Sequence, residues 1–448
     1  MQIHKKLINS DYYTAVILFF FIFSIYLLCP IVTSFDSKYY IPLTKSIIYE
    51  GNFDLDEYVS FENDKDYRIT NNNGHYYSYF PYANSILAIP LVFFLDFILR
   101  ISSVDIEPII LQVGESVGIN PDIILKVIDN RLYDLLYEKT IASIVSALCV
   151  ILFYFIARKY LNNNYAILIS LIFAFATSLW SVASRGFWMH GPSILFLELA
   201  FLGMLYAKEK PHLSIYVGIP LSIAYIIRPT NAISLVLFSL YMLYCNRDSY
   251  KRIGKYCILT FIPLFLFIIL NLSIYNAILP PYFLAERITN FSPVIFEALI
   301  GNVFSPARGL LIFSPFFIFS IYGVYLKIKT KSIDIFDIVV LMTIFFHWIA
   351  ISMYPHWWAG HSYGPRFFLD VNPLLLYFII PVLSKISSMK PSSKKIWTFV
   401  LLVLVGISVI IHLKGAVIFG VWDWNGTPLN VDENPWRIWD FHDIQFLR

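Results

Sequence analysis

The chain has 448 residues, of which 58% are hydrophobic, 18% aromatic and only 14% charged, and its mean hydropathy is +0.67. A soluble protein of this length needs far more charge to cover its surface, which excludes that class. The net charge of +3 is too small for nucleic-acid binding. Repeated apolar runs of about 18 residues or more instead specify an all-α polytopic membrane protein, read as one domain over 1–448.

Taken in order, eleven stretches read as spans: 12–32, 139–157, 164–182, 188–206, 212–227, 229–245, 255–275, 308–327, 333–351, 367–384 and 395–413. The N-terminus lacks a small-x-small cleavage site, so the first run is expected to stay as an uncleaved helix. Cys29, Cys149, Cys245 and Cys257 have no metal or disulfide spacing and read as buried apolar residues.

Short basic clusters mark the cytoplasmic side. They are Lys5-Lys6, Arg158-Lys159, Lys208 with Lys210, the group from Arg247 to Lys255, Lys327 to Lys331, and Lys385 through Lys395. One threading puts all six on the same face, with the N-terminus inside and the Trp-rich tail 414–448 outside. The apolar run 82–101 would reverse every later cluster if it crossed alone. It is therefore expected to form an interfacial or re-entrant helix packed on the outer side.

The first outer loop region, 33–138, carries an unusual load of acids. Tyr39 or Tyr40, Leu43 and Ile47 recur at helical spacing, so it should begin with an amphipathic helix on the membrane surface, kinked or started by Pro42. Residues 71–80 read as a turn running into an aromatic strip. Asn120-Pro121-Asp122 is a good helix start, with Asn as cap and Pro at the first position.

Asp36 lies just past the first span, where a lipid headgroup meets water, and suits a general base; the plainer reading is a helix cap. Trp357-Trp358-Ala359-Gly360-His361-Ser362-Tyr363-Gly364-Pro365-Arg366 offers His361 and Arg366 to a phosphate, and Trp357, Trp358 and Tyr363 as flat faces for sugar or lipid. An interfacial aromatic belt with a snorkelling arginine is the alternative. Arg308, in Ser305-Pro306-Ala307-Arg308-Gly309, sits at a helix start where an anion is favoured. Arg228 ends a segment of about 24 Å, short of the ~30 Å core, and so expects an anionic partner, either a ligand or a structural ion pair. His190 could donate to a phosphate or acceptor, against a plain interfacial histidine. Glu198, mid-span, is the feature that favours a transporter. Asp54-Leu55-Asp56-Glu57 has divalent-metal spacing, with Asp54 and Asp56 the candidate ligands, against an ordinary acidic loop. Asn425-Gly426-Thr427 matches a glycosylation sequon by pattern, while Trp422, Trp424, Trp436 and Trp439 suggest a tail lying on the outer surface.

Asp36, Tyr39, Tyr40 and Gly51 after the first span, then Tyr79-Phe80-Pro81 through Pro90, together resemble the GT-C superfamily of polytopic glycosyltransferases. The nearest type is family 39, which includes protein O-mannosyltransferases and lipid A aminoarabinose transferases. Phe187 through Pro192, Arg228-Pro229-Thr230 and the motifs around Arg308 and Arg366 resemble a less characterised branch of it. The resemblance implies a polyprenyl- or dolichyl-phosphate sugar donor, inversion at the anomeric carbon, and a lipid, glycan or protein acceptor. It also implies a non-spanning helix beside the membrane. Asp36 is then the expected base, with Arg308, Arg366, Arg228 and His361 on the donor phosphate. Tyr39, Tyr40, His190, Trp357, Trp358 and Tyr363 would line the site, and no cofactor is required. Members of that type often carry a second acid directly after the first, where this chain has Ser37. The rival classes are a transporter or flippase and a non-catalytic scaffold.

Overall fold

Long runs of Leu, Ile and Phe must satisfy their backbone internally in lipid, and in the computed structural model they do so as helices. The structure describes residues 2–33, 35–59, 66–102, 132–284 and 294–448; the expected helix start at Asn120-Pro121-Asp122 lies outside these. In order the helices are α1 (Gln2–Leu28), α2 (Tyr40–Lys45), α3 (Ala83–Ser102), α4 (Leu132–Arg158), α5 (Asn163–Phe175), α6 (His190–Glu209), α7 (Pro211–Ile227), α8 (Pro229–Cys245), α9 (Tyr250–Tyr275), α10 (Ile295–Phe304), α11 (Ile318–Lys329), α12 (Ile335–Ser352), α13 (Arg366–Ser387) and α14 (Pro391–Val417). This is a helical membrane protein. Among the described residues, eight helices are long and apolar enough to cross a bilayer: α1, α3, α4, α6, α9, α12, α13 and α14.

The other expected spans are shorter or interrupted, for local reasons. The stretch 164–182 is α5 followed by a π-turn at Leu179–Ala183. Its 13 helical residues rise only about 20 Å, against a hydrocarbon core of about 30 Å. The stretch 308–327 breaks at Ser314-Pro315, because proline cannot continue the hydrogen-bond ladder, which leaves α11 with 12 residues. α10 was not among the expected spans.

The main apolar core runs between α1, α4, α6, α13 and α14. The bundle has two chemically distinct ends. At one, ion pairs tie the basic clusters to acids: Arg158 to Asp11 at 3.0 Å, Lys159 to Glu209 at 2.8 Å, Lys208 to Asp334 at 2.9 Å and Lys327 to Asp337 at 2.5 Å. At the other, α1 ends, and carbonyls in its last turn and just past it are met by buried cations. Lys139 donates to Cys29 O (2.7 Å) and Ile31 O (2.9 Å), and Arg185 Nη2 to Tyr26 O (2.6 Å).

A cap covers this second end. α2 runs into a π-turn at Ser46–Glu50 and stops at Gly51, in the left-handed region at φ 75°. It is a helix as its spacing requires, but it is roofed over rather than lying on a surface, with Tyr40, Ile41, Pro42 and Leu43 all buried. The roof includes an antiparallel hairpin, β1 (Ile69–Asn72) and β2 (His75–Ser78), which is the one departure from an all-helical fold among the described residues. Asn73 and Gly74, at φ 54° and 89°, make the tight turn that Asn-Gly favours.

α3 is one uninterrupted helix despite Pro90, so it is not a re-entrant hairpin. Its start touches α2, where Thr44 Oγ1 donates to Ser85 O (3.0 Å). Asp96, three turns later, accepts from Tyr49 just past α2 and from Tyr137 in the second turn of α4. Both ends of that stretch therefore stay with the capped end of the bundle. Two cysteines depart from expectation: Cys245 and Cys257 are exposed, while Cys29 and Cys149 are buried.

Candidate functional site

The turns that close α1, α7, α9 and α12 converge at the capped end around a cavity of about 810 Å³. Hairpin-side residues Tyr67 and Phe80 and the tail residue Asp432 complete its wall.

Asp36 stands at its mouth because the chain after α1 is held extended before it turns. Thr33 N donates to Arg185 O (2.8 Å) and Trp188 Nε1 to Thr33 O (2.6 Å). This close approach needs Gly186, where a Cβ would lie 2.0 Å from Thr33 O. Asp36 does not cap α2: the residue at the N-cap is Tyr39, and no side chain caps there. Its Oδ1 accepts from the Tyr67 hydroxyl at 2.9 Å, and its Oδ2 faces Arg366 Nη1 at 3.6 Å. Burial, then the charge of Asp36, raises the Tyr67 phenol well above its ordinary range, so it remains a donor.

Arg366 lies with its guanidinium 4.3 Å from the Trp188 ring centroid. Its Nε is buried and has no hydrogen-bond partner among the described residues. A 3.6 Å ion contact is not a hydrogen bond, and partly exposed pairs of this kind contribute about 1 kcal/mol or less. Exchanging Asp36 for an incoming anion therefore costs Arg366 little.

Arg228 also lines the cavity, from the α7–α8 turn. Its expected anionic partner is structural: Asp370, which is buried. The same Nη1 donates to His190 Nδ1 at 2.8 Å, which fixes that ring as the Nε2–H tautomer. Asp370 Oδ1 accepts from Ser193 at 2.9 Å, and Ser193 Oγ accepts from Asn231 at 2.8 Å. His190 thus serves this buried network and is not on the cavity wall.

The structure sends several other candidates elsewhere. Arg308 is 1% exposed and donates from every nitrogen to neutral acceptors: Trp358 O, Ala307 O, Gln445 Oε1, Gly360 O and Asn425 Oδ1, at 2.7–3.1 Å. No donor is left for a phosphate. Burial, with the charge of Arg366, pushes it down to about 9, still a cation at neutral pH. Asn425 is buried in this knot, so the sequon is not a surface acceptor site. Trp424 is buried too, and Gln445 reaches Ser362 O and Val421 O, so the tail is folded into the cap and does not lie upon it.

Trp357 packs in the same knot, and Tyr363 is core, its hydroxyl donating to Ile411 O at 2.6 Å. Tyr39 and Tyr40 are buried against the hairpin and Phe187 respectively. Trp358 stands behind the wall and donates to Asp432 Oδ1 at 2.8 Å. His361 does line the cavity, its Nε2 2.9 Å from Asn430 Oδ1. Ala359, Gly360 and Gly364 all have φ near 60°, a winding that turns His361 and Arg366 toward the cavity. A Cβ at Gly364 would also strike the Phe313 ring at 2.6 Å.

Asp54 and Asp56 do gather, but with His75 rather than Glu57, within 4.8 Å of one another and away from the cavity. Hydrogen bonding and charge from Asp56 raise the His75 pKa.

Three acids escaped the sequence reading. Asp370 and Asp432 lie in helical and tail segments with no motif, although Asp370 follows Arg366 by four residues. Glu138 is buried and accepts from Ser37 Oγ and, at 2.9 Å, from Phe187 N. A carboxylate therefore does stand beside the Asp36 turn, brought by α4 to the position after Asp36. The sequence matches no family model and no curated protein.

Proposed function

We propose that this protein is a membrane glycosyltransferase that moves a sugar from a polyprenyl-phosphate donor to an acceptor hydroxyl or amine, with inversion, at the non-cytoplasmic face. The observation that carries this reading is the meeting of Asp36, Arg366 and Arg228 in one cavity whose remaining wall includes Ile233, Ile351, Met353 and Phe367. Such a site offers a base, the loosely held Arg366 guanidinium backed by the Arg228–Asp370 pair, and an apolar flank to a substrate that is part anion and part hydrocarbon.

Asp36 takes the acceptor proton as the acceptor attacks the anomeric carbon. The departing lipid phosphate gains charge, and Arg366, with Arg228 behind it, stabilises that charge where little water competes. Tyr67 holds Asp36 in orientation. The guanidinium groups do the neutralising in this scheme, so a metal is not required. The paired basic residues Arg158, Lys159, Lys208 and Lys327 lie at the opposite end of the bundle, and the charge bias of cytoplasmic loops supports a cavity on the outer face. α3, bound at both Ser85 and Asp96 to that same end, then lies along the rim of the bilayer.

The transporter reading keeps one specific observation: Glu198 is buried with neither carboxylate oxygen hydrogen-bonded among the described residues. Glu198 is not on the cavity wall, however. The discriminating experiment incubates purified protein in nanodiscs with a panel of polyprenyl-phosphate sugars and acceptors, and follows release of free polyprenyl phosphate. Asp36→Asn is expected to lower turnover about 10²–10⁴-fold with the fold intact. Turnover at the wild-type rate in both Asp36→Asn and Arg366→Ala would sink the assignment. Solute movement that depends on Glu198 and survives Asp36→Asn would put transport in its place.

A further inference from the structure

The cavity is not uniform in charge. One side holds Arg366 and Arg228; another holds a carboxylate that no motif singles out. Asp432 belongs to the C-terminal tail, and the tail is pinned where it is. Val431 is buried and its N–H donates to Asn425 O at 2.8 Å. Arg437, 2% exposed, donates to Trp424 O (2.9 Å), Thr427 O (3.0 Å) and Asp443 (2.8 Å).

Asp432 Oδ1 is oriented by Trp358 Nε1. Its Oδ2 has His361 Nε2 at 3.7 Å, beyond hydrogen-bond reach, and among the described residues no Lys or Arg lies within ion-pair distance of it. The carboxylate thus faces the cavity with acceptor capacity to spare. His356, on the same wall, has its ring 5.0 Å from Trp358, and Tyr354 packs at 5.7 Å on Phe367. A carboxylate and an imidazole beside aromatic faces are the groups that hold a polyhydroxylated ring, through its hydroxyls and its C–H face.

Resting on the function proposed above, we infer that the tail supplies the sugar-recognising wall of the cavity, with Asp432 and His361 binding glycosyl hydroxyls, and that Asp432 restricts the transferred sugar to uncharged or cationic rings. An acidic sugar would set a second carboxylate against Asp432, while the lipid phosphate is drawn to Arg366. The cavity sorts the two halves of the donor by charge.

The test measures binding of three lipids to the full-length protein in nanodiscs, using the tryptophan emission to which Trp358 contributes. The lipids are undecaprenyl phosphate, its glucosyl ester and its glucuronosyl ester. Wild type is expected to prefer the glucosyl to the glucuronosyl lipid by about tenfold or more. Asp432→Asn, which keeps an acceptor for Trp358, should bring the two within about threefold and change binding of bare undecaprenyl phosphate by less than about twofold. His361→Ala leaves the Asp432–Trp358 bond untouched and should weaken the glucosyl lipid alone, by about fivefold. An unchanged preference in Asp432→Asn, or equal weakening of all three lipids by both variants, would overturn the assignment of the tail wall while leaving the lipid-phosphate reading standing. Failure of the wild type to bind any of the three would remove that reading, and this inference with it.

Discussion

Arg308 and Arg366 begin from nearly the same sequence context. Each follows a proline by one or two residues at a helix start, and each has a glycine within two residues. They end in opposite states. Arg308 is enclosed by five oxygen acceptors contributed by three separate segments. Arg366 has a ring beneath it, a loose contact with Asp36 and an unpartnered Nε. A guanidinium has five N–H donors, so its hydrogen-bonding role follows from how many of the five the protein itself uses. Arg308 holds the cap together; Arg366 keeps hydrogen-bonding capacity that the described residues do not use.

That contrast can be broken by substitution. Arg308→Ala leaves five oxygens stripped of their donor in a buried site, and is expected to cost about 3–5 kcal/mol, read as a large fall in the thermal midpoint or loss of folded protein. On the proposed function, Arg366→Ala should leave the midpoint nearly unchanged, since its own contacts are a ring and a loose ion contact, and lower turnover about 10²-fold. If Arg308→Ala folds normally and only Arg366→Ala unfolds, the two roles have been exchanged. Removing one acceptor from the knot, with Asn425→Ala, should cost about 1 kcal/mol in chemical unfolding and leave turnover alone.

The smallest expected effect is on pH. Burial acts to raise Asp66, but hydrogen bonds from Arg68 and Lys38 outweigh it and hold the carboxyl well below its ordinary value. Its stabilising contribution is therefore complete above the unfolded carboxyl pKa of about 3.9 and is lost as pH falls from there toward the lower native value. Arg68 also donates to Phe35 O at 3.0 Å, so this clamp steadies the turn that carries Asp36. Hydrogen exchange in β1 and β2 should stay slow down to about pH 4 and quicken below it. Asp66→Asn should remove that step.

Much of the fold was legible because it depends on neighbours in sequence. Apolar runs gave the helices, and Asn73-Gly74 a turn. Asp36, Arg366, Arg228 and His361 were each singled out and do line one cavity. The misassignments share a cause. Tyr363, Trp357 and Tyr40 sit in motifs that read the same whether a ring faces lipid, ligand or core, and their burial came from segments far away. Seven of the eleven expected spans are long apolar helices, and α3, expected to lie beside the membrane, is the eighth. Two others fall short because a hydropathy window passes over Ser314-Pro315 and the π-turn at Leu179–Ala183, which break a helix without lowering its apolar content.

By itself the sequence determined that this chain lives in a membrane, which long apolar stretches are helical, and which ionisable residues gather near span ends. Those properties follow from the hydrophobic effect and the helical repeat, which act over a few residues. Only the tertiary structure decided which cation is spent and which is available, that Asp370 answers Arg228, that Glu138 stands beside Ser37, and that the tail brings Asp432 into the cavity. Each of those is a contact between residues that can be more than a hundred positions apart, and the electrostatic worth of a charge is set by such neighbours and by its exposure, neither of which is written in the local pattern.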